Sequence, residues 1–387
     1  MKINNTNRIL VTGGRAPAAL ELVRILKRSG KIVYVADTIS FPISRFSNCC
    51  QQYIQVTSPV TNPKKYVADI NKIIDTHDID VVIPTCEEVF HLAKNEEKIK
   101  CLIFTDTFEL LRDLHSKYNF IKKAEDLNLS VPKTIRFSGQ DDFESRKNEL
   151  PFEKGVAKPE YSRFATKIVI SSNIKRESKI QYSQPFVFQE YIEGKHFSSY
   201  SVCRKGAVLA SAVYPLQYRW GNGATVVFQG CDHKKIQEWI KIFVSANNFS
   251  GQIGFDFIEK DNGALFAIEC NPRATSGIHL FKGQAEFAEC FTTKSGGSFV
   301  QPKSLQTNFS VKFALIILAL GNAFNVKKTR KLITKFLSSK DVIADKNDLW
   351  PAVGQFLSTF EFILISIKRR VGLTDATVID IAYNDFN

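Results

Sequence analysis

Asp256 and Glu269 are the residues of this chain best placed, by type and spacing, to do chemistry. They stand in Gly254-Phe255-Asp256-Phe257 and Ala267-Ile268-Glu269-Cys270-Asn271-Pro272-Arg273, thirteen positions apart. Both segments read as strands, residues 251–258 and 264–270, joined by the turn Lys260-Asp261-Asn262-Gly263. Period-two alternation puts Glu269 and Asn271 on one face of their strand. Two carboxylates and an amide oxygen can therefore converge from neighbouring strands. All three are hard oxygen donors, the set magnesium takes when phosphate oxygens complete its octahedron. Arg273, just beyond Pro272, would stand at the rim as a fixed cation for phosphate or carboxylate. Apolar Phe255, Phe257, Ala267 and Ile268 flank the acids, which argues against an incidental surface hairpin.

The elements that must carry this hairpin fall into three blocks. In the first hundred residues short β-rich runs (9–12, 32–36, 53–56, 81–84, 101–105) alternate with helical patterns (16–29, 64–76), the signature of a parallel, doubly wound sheet. Its first turn, Thr12-Gly13-Gly14-Arg15-Ala16-Pro17, has two glycines and a proline at the helix start, but it is not GxGxxG. Asp37, at the end of the second strand, imitates the ribose-binding acid of dinucleotide folds, yet without that fingerprint NAD binding is not expected. Pro84-Thr85-Cys86-Glu87-Glu88 sits at a strand end where ligands bind in open sheets; it also reads as a helix cap, Thr85 with Glu88 at N3. A helix over residues 115–127 opens the second block, an antiparallel α+β region with strands at 156–158, 167–171, 186–191, 197–204, 207–214 and 224–229 and a helix at 233–247. The last eighty or so residues are mainly helical.

Composition narrows the functional classes. The chain has 387 residues, 44% of them hydrophobic, with 31 Phe and a net charge of +13. Eight cysteines form no CxxC pair or zinc spacing and read as reduced side chains, the Cys49-Cys50 pair included. The polar N-terminus has no signal-peptide h-region. The densest basic run, Lys327, Lys328, Arg330, Lys331 and Lys335, lacks any nucleic-acid signature and reads as a solvated helix face, so no nucleic-acid partner is expected. Residues 309–326 and 349–367 approach membrane-span length, but Lys312, Asn322 and Asn325 interrupt the first, and Pro351, Gln355 and Glu361 the second. Both are expected to be core helices rather than stable spans. Phe356, Leu357, Phe360, Leu364 and Ile367 recur at helical spacing, a stripe suited to packing on the body of the fold.

The Glu-x-Asn-Pro-Arg ending on one strand, with an acid on its neighbour, resembles the ATP-grasp superfamily, which includes biotin carboxylase, carbamoyl-phosphate synthetase and D-alanine–D-alanine ligase. Further marks follow in the expected order. Lys117, in Leu114-His115-Ser116-Lys117-Tyr118, resembles the first ATP-contacting lysine. Lys158, in Val156-Ala157-Lys158-Pro159, resembles the second, which reaches the α and β phosphates. Gln189-Glu190-Tyr191-Ile192 resembles the hinge, where Glu190 and the Ile192 backbone would read the adenine edge. The chain also resembles bacterial ATP-grasp proteins that share Val11-Thr12-Gly13-Gly14-Arg15, Pro84-Thr85-Cys86-Glu87-Glu88, Tyr161-Ser162-Arg163-Phe164 and a late Asp380-Ile381; that likeness fixes no substrate.

The resemblance implies an α/β pre-ATP-grasp domain over residues 1–114, an α+β ATP-grasp fold over 115–300 with a lid at about 132–184, and a mainly helical segment over 301–387. It also implies ATP with magnesium or manganese. Asp256, Glu269 and Asn271 would be the metal ligands and Arg273 a catalytic cation. The loop after Lys158 departs from the family pattern in having no glycine; Ser162, Thr166 and the Arg163 guanidinium would supply the phosphate donors instead. His196 stands where the ribose-binding acid usually falls, and a neutral imidazole still accepts one hydroxyl. Arg219, in the glycine-rich segment Tyr218-Arg219-Trp220-Gly221-Asn222-Gly223, would set a second catalytic cation opposite the metal. The implied activity is that of a cytoplasmic, ADP-forming ligase that activates a small carboxylate as an acyl phosphate and joins it to an amino acid, amine or similar nucleophile. A homodimer is an allowed assembly, and a non-catalytic ATP-sensing module is the alternative reading.

Overall fold

The computed structural model describes residues 7–162, 168–173, 182, 184–218, 225–293, 298–322 and 324–383. Strands β1 (Arg8–Thr12), β2 (Ile32–Asp37), β3 (Gln52–Gln55), β4 (Val81–Ile83) and β5 (Leu102–Ile103) form a parallel sheet in the order β3-β2-β1-β4-β5. These strands lie within two residues of their expected ends. The central strands β1 and β4 carry continuous, buried Ile, Leu and Val, as expected of a parallel sheet covered on both faces. The helices of this part are α1 (Pro17–Arg28), α2 (Pro63–His77), α3 (Glu88–Lys94) and α4 (Phe108–His115). Pro17 opens α1 as expected, and Gly13 precedes it at φ 75°, where a Cβ would lie 2.7 Å from Thr85 Oγ1.

Two local expectations are corrected. Thr85 does not cap α3: its hydroxyl donates to the Thr12 carbonyl (2.7 Å), tying β4 to β1. Only the return half of the capping box exists, with the Glu88 carboxylate accepting from the backbone N–H of Thr85 and Cys86. The helix expected over 115–127 is α5 (Lys117–Asp126), which starts two residues later because Ser116 separates it from α4, a helix that was not expected. Ser116 Oγ accepts from Asn119 N (3.1 Å) and donates to Glu160 Oε1 (2.6 Å), which makes Lys117 the first residue of a new helix.

Two antiparallel sheets follow. One has the order β6-β9-β7-β8, from β6 (Thr134–Phe137), β7 (Gly155–Pro159), β8 (Val169–Ser171) and β9 (Phe186–Glu190), with α6 (Gln140–Arg146) beside it. The other, β11-β10-β13-β14, contains β10 (Lys195–Arg204), β11 (Ala207–Pro215), β13 (Gly251–Glu259) and β14 (Leu265–Asn271). Between these, β12 (Val227–Gln229) leads to α7 (Lys234–Ala246). Behind the β13–β14 hairpin, Phe255 and Phe257 pack with Phe120, Trp239 and Phe243 at ring separations of 5.1–6.2 Å. That aromatic layer holds the opposite face, with Asp256, in register.

The C-terminal part comprises α8 (Glu286–Thr292), β15 (Asn308–Ser310), α9 (Lys312–Gly321), α10 (Val326–Ser338), β16 (Lys340–Asp341), α11 (Trp350–Arg369) and α12 (Leu373–Ala376); β12, β15 and β16 make a small further sheet. The core-helix expectation fails here. In α9 only Leu315 is buried. In α11 the stripe Phe356, Leu357, Phe360, Leu364 and Ile367 is 42–69% exposed. The helix docks through its other side, Pro351, Gly354, Ser358 and Phe362, and it packs on the Ile43–Phe46 turn of the N-terminal part. A Cβ on Gly354 would lie 2.1 Å from the Phe46 ring. Ser358 Oγ donates to the Phe41 carbonyl, and the Glu361 carboxylate accepts from the N–H groups of Ser40 and Phe41 at 2.7 and 2.8 Å. Periodicity found the stripe; it could not say that the small-residue side would take the protein contact.

Arg24 of α1 fixes this C-terminal part to the first sheet. It is fully buried, pairs with Asp348 at 2.8 Å and donates to the carbonyls of Val342 and Ile343. Asp348→Ala would strand that guanidinium in the core. Chemical denaturation should show a loss of about 3–5 kcal/mol, and Arg24→Met with Asp348→Leu should recover most of it. A loss under about 1 kcal/mol for Asp348→Ala would mean the pair is not what holds the segment.

Candidate active site

Lys117 and Lys158 converge on Glu269. Lys158 points from β7 into a pocket where its Nζ donates to Gln189 Oε1 (3.0 Å) and to the Ile268 carbonyl (3.3 Å). Gln189 is oriented in turn by its own donation to Thr134 Oγ1. Lys117 Nζ donates to the Ser162 carbonyl (3.0 Å) and stands 3.6 Å from Glu269 Oε1. The lysines are 2% and 4% exposed. Burial pushes Lys158 down to about 8, against the attraction of Glu269 and with the repulsion of Lys117. Burial raises the Glu269 carboxyl, but Lys117, Lys158, His115 and Arg273 together hold it below the ordinary carboxylate range.

Asp256 sits directly across the ladder from Glu269, and Asn271 across from Gly254, so the expected face is formed. Among the described residues no group of three or more His, Cys, Asp and Glu could hold a metal. The donor set is thus two carboxylates and the Asn271 amide, which suits a hard cation only when phosphate oxygens supply the remaining ligands. Arg273 is fixed, as expected, though by protein: its Nε donates to Glu87 Oε1 (2.8 Å) and its Nη2 to Asn271 Oδ1 (3.1 Å). Burial opposes its charge, and Glu87 more than offsets this, so the guanidinium is held firmly protonated.

The hinge segment is partly committed to its neighbours. Glu190 Oε2 lies 3.4 Å from Lys133 N, Tyr191 N donates to the Lys154 carbonyl, and Lys154 Nζ sits 3.9 Å over the Tyr191 ring. Ile192 is buried. His196 lies on β10 opposite Ile258, with its carbonyl accepting from Leu216 N. Ser162 meets Lys117 through its carbonyl rather than its hydroxyl. Arg163, Thr166 and Arg219 lie outside the described residues.

Sequence reasoning missed Glu160 and left Glu87 undecided. Glu160 accepts from Ser116 Oγ and from Arg136 Nε, while its carbonyl accepts from Lys117 N. It thereby fixes the lysine helix to the loop after β7. Its place in the motif loop was visible; its three partners, distant in sequence, were not. The crevice at the ends of β1, β2 and β4 is closed by the chain itself. Arg15 binds Asp37 and Asp380, Thr38 Oγ1 bonds Asp380, and Ile381 leaves a cavity of only about 10 Å³ beside Gly13 and Asp37. Asp37 therefore serves Arg15 rather than a ribose. The thiol of Cys50 is pushed up to about 12 by burial, so the cysteine pair carries no reactive thiolate.

A family model for the ATP-grasp domain matches residues 114–277, the stretch that holds both lysines and the oxygen donors. The chain carries an ATP-grasp domain. Solved structures share the wider architecture. N5-carboxyaminoimidazole synthetase from Staphylococcus aureus complexed with ADP has a TM-score of 0.65 at 15% identity, over 84% of this chain and 88% of that one. L-amino acid ligase from Bacillus licheniformis gives 0.56 at 14% identity, over 76% and 71%. The biotin carboxylase–β,γ-ATP complex from Campylobacter jejuni gives 0.60 at 13% identity, over 79% and 74%. At these identities the likeness is one of fold. No curated protein matches the sequence.

The low value for Lys158 of the ATP-grasp domain has a signed consequence. The folded chain releases this proton near pH 8, the unfolded chain near the ordinary lysine value, so the unfolded state binds more protons between them. The site should therefore gain stability as pH rises from about 8 to 10, by at most about 1.4 kcal/mol per unit. Subtracting the unfolding free energy of Lys158→Met from that of wild type isolates this rise. A flat difference over that window would show that Lys158 stays charged in the fold.

Proposed function

We propose that this protein is an ADP-forming ligase that transfers the γ-phosphoryl of ATP to a small carboxylate and passes the acyl group to an amine or similar nucleophile. The observation that supports it most is the pair of buried ammonium groups beside Glu269, with Asp256 opposite. Two buried ammonium groups side by side repel each other, and a polyphosphate spanning both relieves that repulsion through charge-assisted hydrogen bonds.

A carboxylate is a poor acyl donor because its leaving oxide is strongly basic. Phosphorylation turns that oxide into phosphate, and such a transfer is mainly positioning plus charge neutralisation. In this reading Lys158 and Lys117 bind the triphosphate and fix its orientation. Asp256, Glu269 and Asn271 would hold magnesium, which when bound neutralises charge on the transferred group. Arg273, gripped by Glu87, offers its remaining donor directions to the substrate carboxylate or the developing oxyanion. Glu190, Tyr191 and Ile192 would receive the adenine, and His196 the ribose. Ser162, Arg163 and Thr166 would close over the phosphates from the segment of residues 132–184 and keep the acyl phosphate from water. Arg219 would complete the cationic set.

Glu269→Gln removes one carboxylate from a half-buried polar site and should leave the fold intact. ADP release, screened with amino acids and small carboxylic acids and followed by product mass, should fall well beyond the 10–100-fold typical of outer-shell metal partners. A folded variant that keeps more than about a tenth of wild-type turnover would remove Glu269 from the metal set. Wild-type protein whose melting point rises with ATP but which releases no ADP across the screen would favour the sensing module instead.

A further inference from the structure

The C-terminal helices turn an unusually apolar face outward. On α11, Trp350, Val353, Phe356, Phe360, Leu364 and Ile367 form one stripe along the helix, each 50–69% exposed, while the docking residues Gly354, Ser358 and Phe362 are buried on the other side. At the tip between α9 and α10, Leu320, Phe324 and Val326 are 71%, 105% and 77% exposed. Phe313 of α9 meets Phe356 of α11 edge to face at 5.3 Å, so the two apolar surfaces adjoin. Cations flank them: Lys327, Lys328, Arg330 and Lys331 are exposed on α10, and Lys368, Arg369 and Arg370 end α11. Among the described residues none of these seven is in an ion pair. A groove of about 610 Å³ opens beside the tip, lined by Tyr218, Val326, Lys327, Arg330, Lys331 and Lys335.

We propose that α9, α10 and α11 form a docking face that lays the protein on bilayers containing anionic phospholipid, with the α10 groove receiving headgroup phosphates. Charge selects this occupant. Residues 312–338 contain no carboxylate, and the single acid of α11, Glu361, is bound to the N–H groups of Ser40 and Phe41. A second copy meeting this face would set cations against cations, whereas an anionic surface neutralises them. An exposed apolar stripe with Trp and Phe, bordered by Lys and Arg, is the composition of a helix lying in the interface. Trp350–Arg369 is also long and apolar enough to cross a membrane. Its bonds to Ser40 and Phe41 and the Gly354–Phe46 contact instead hold it along the N-terminal part, parallel to the surface it covers.

Flotation of the full chain tests this, with vesicles of phosphatidylcholine alone and of phosphatidylcholine with phosphatidylglycerol. Binding is expected to the anionic vesicles only, weakening as salt rises. Lys327→Gln with Arg330→Gln and Lys331→Gln should lower the apparent affinity on the order of a hundredfold, since each surface cation contributes about fivefold. Phe356→Asp with Phe360→Asp should abolish flotation. All these positions are exposed, so both variants should melt like wild type and keep its ATP-induced shift. Failure to float with anionic vesicles overturns the proposal, as does equal binding to neutral ones or full binding by both variants. A wild-type dimer in light scattering that Phe356→Asp with Phe360→Asp converts to monomer, with no flotation, would assign the face to a second copy.

Discussion

Two ammonium groups buried beside the Glu269 and Asp256 carboxylates set the terms for the rest of this molecule. Lys117 and Lys158 are almost without solvent, and Glu269 is the acid they share. Lys117 also stands at the first position of α5, where the helix dipole disfavours a cation. Both costs are borne by the surrounding fold: Gln189, the Ile268 carbonyl and the Ser162 carbonyl take the ammonium hydrogens. Such an arrangement is poorly stabilised on its own and well suited to a ligand carrying several negative charges, because low dielectric strengthens the attraction when the charge arrives.

The chain has to be braced for that arrangement to persist, and it is braced by contacts between residues far apart in sequence. Glu160 holds Ser116 and the N–H of Lys117, which explains why the helix breaks where it does. Glu87, from the parallel-sheet domain, holds Arg273 at the end of the Glu-x-Asn-Pro-Arg strand, so the hairpin and the first domain share one ion pair. At the same strand ends Arg15 draws in Asp380, and Ile381 fills the crevice that in open sheets would take a ligand. The candidate site thus lies between the antiparallel sheets and the edge marked by Glu87.

The C-terminal helices obey a different balance. Ordinary burial of an apolar stripe is worth about 25 cal/mol per Å², yet α11 leaves its stripe in solvent and spends its small residues on the contact with Phe46. A helix folded this way satisfies Glu361 and Ser358 through backbone groups at residues 40 and 41, and keeps a hydrophobic face available to something outside the chain.

Alternation of apolar runs determined the parallel sheet, and two strands with a four-residue turn put Asp256 and Glu269 on the arms of one hairpin, because these depend on short-range periodicity; the irregularity between Asp256 and Phe257 that sets the two directly opposite was not legible. The residue types at Lys117, Lys158, Asn271 and Arg273 were likewise legible. Tertiary structure alone decided what each side chain meets. Asp37, read as a candidate ribose ligand, is consumed by Arg15; Thr85, read as a cap, ties two strand ends; Glu160 emerges as the clamp of the lysine helix. The largest misreading, the stripe of α11, has the same origin. A periodic pattern fixes which residues share a face, but whether that face turns toward protein or away from it depends on long-range contacts such as Gly354 with Phe46, which carry no local signal.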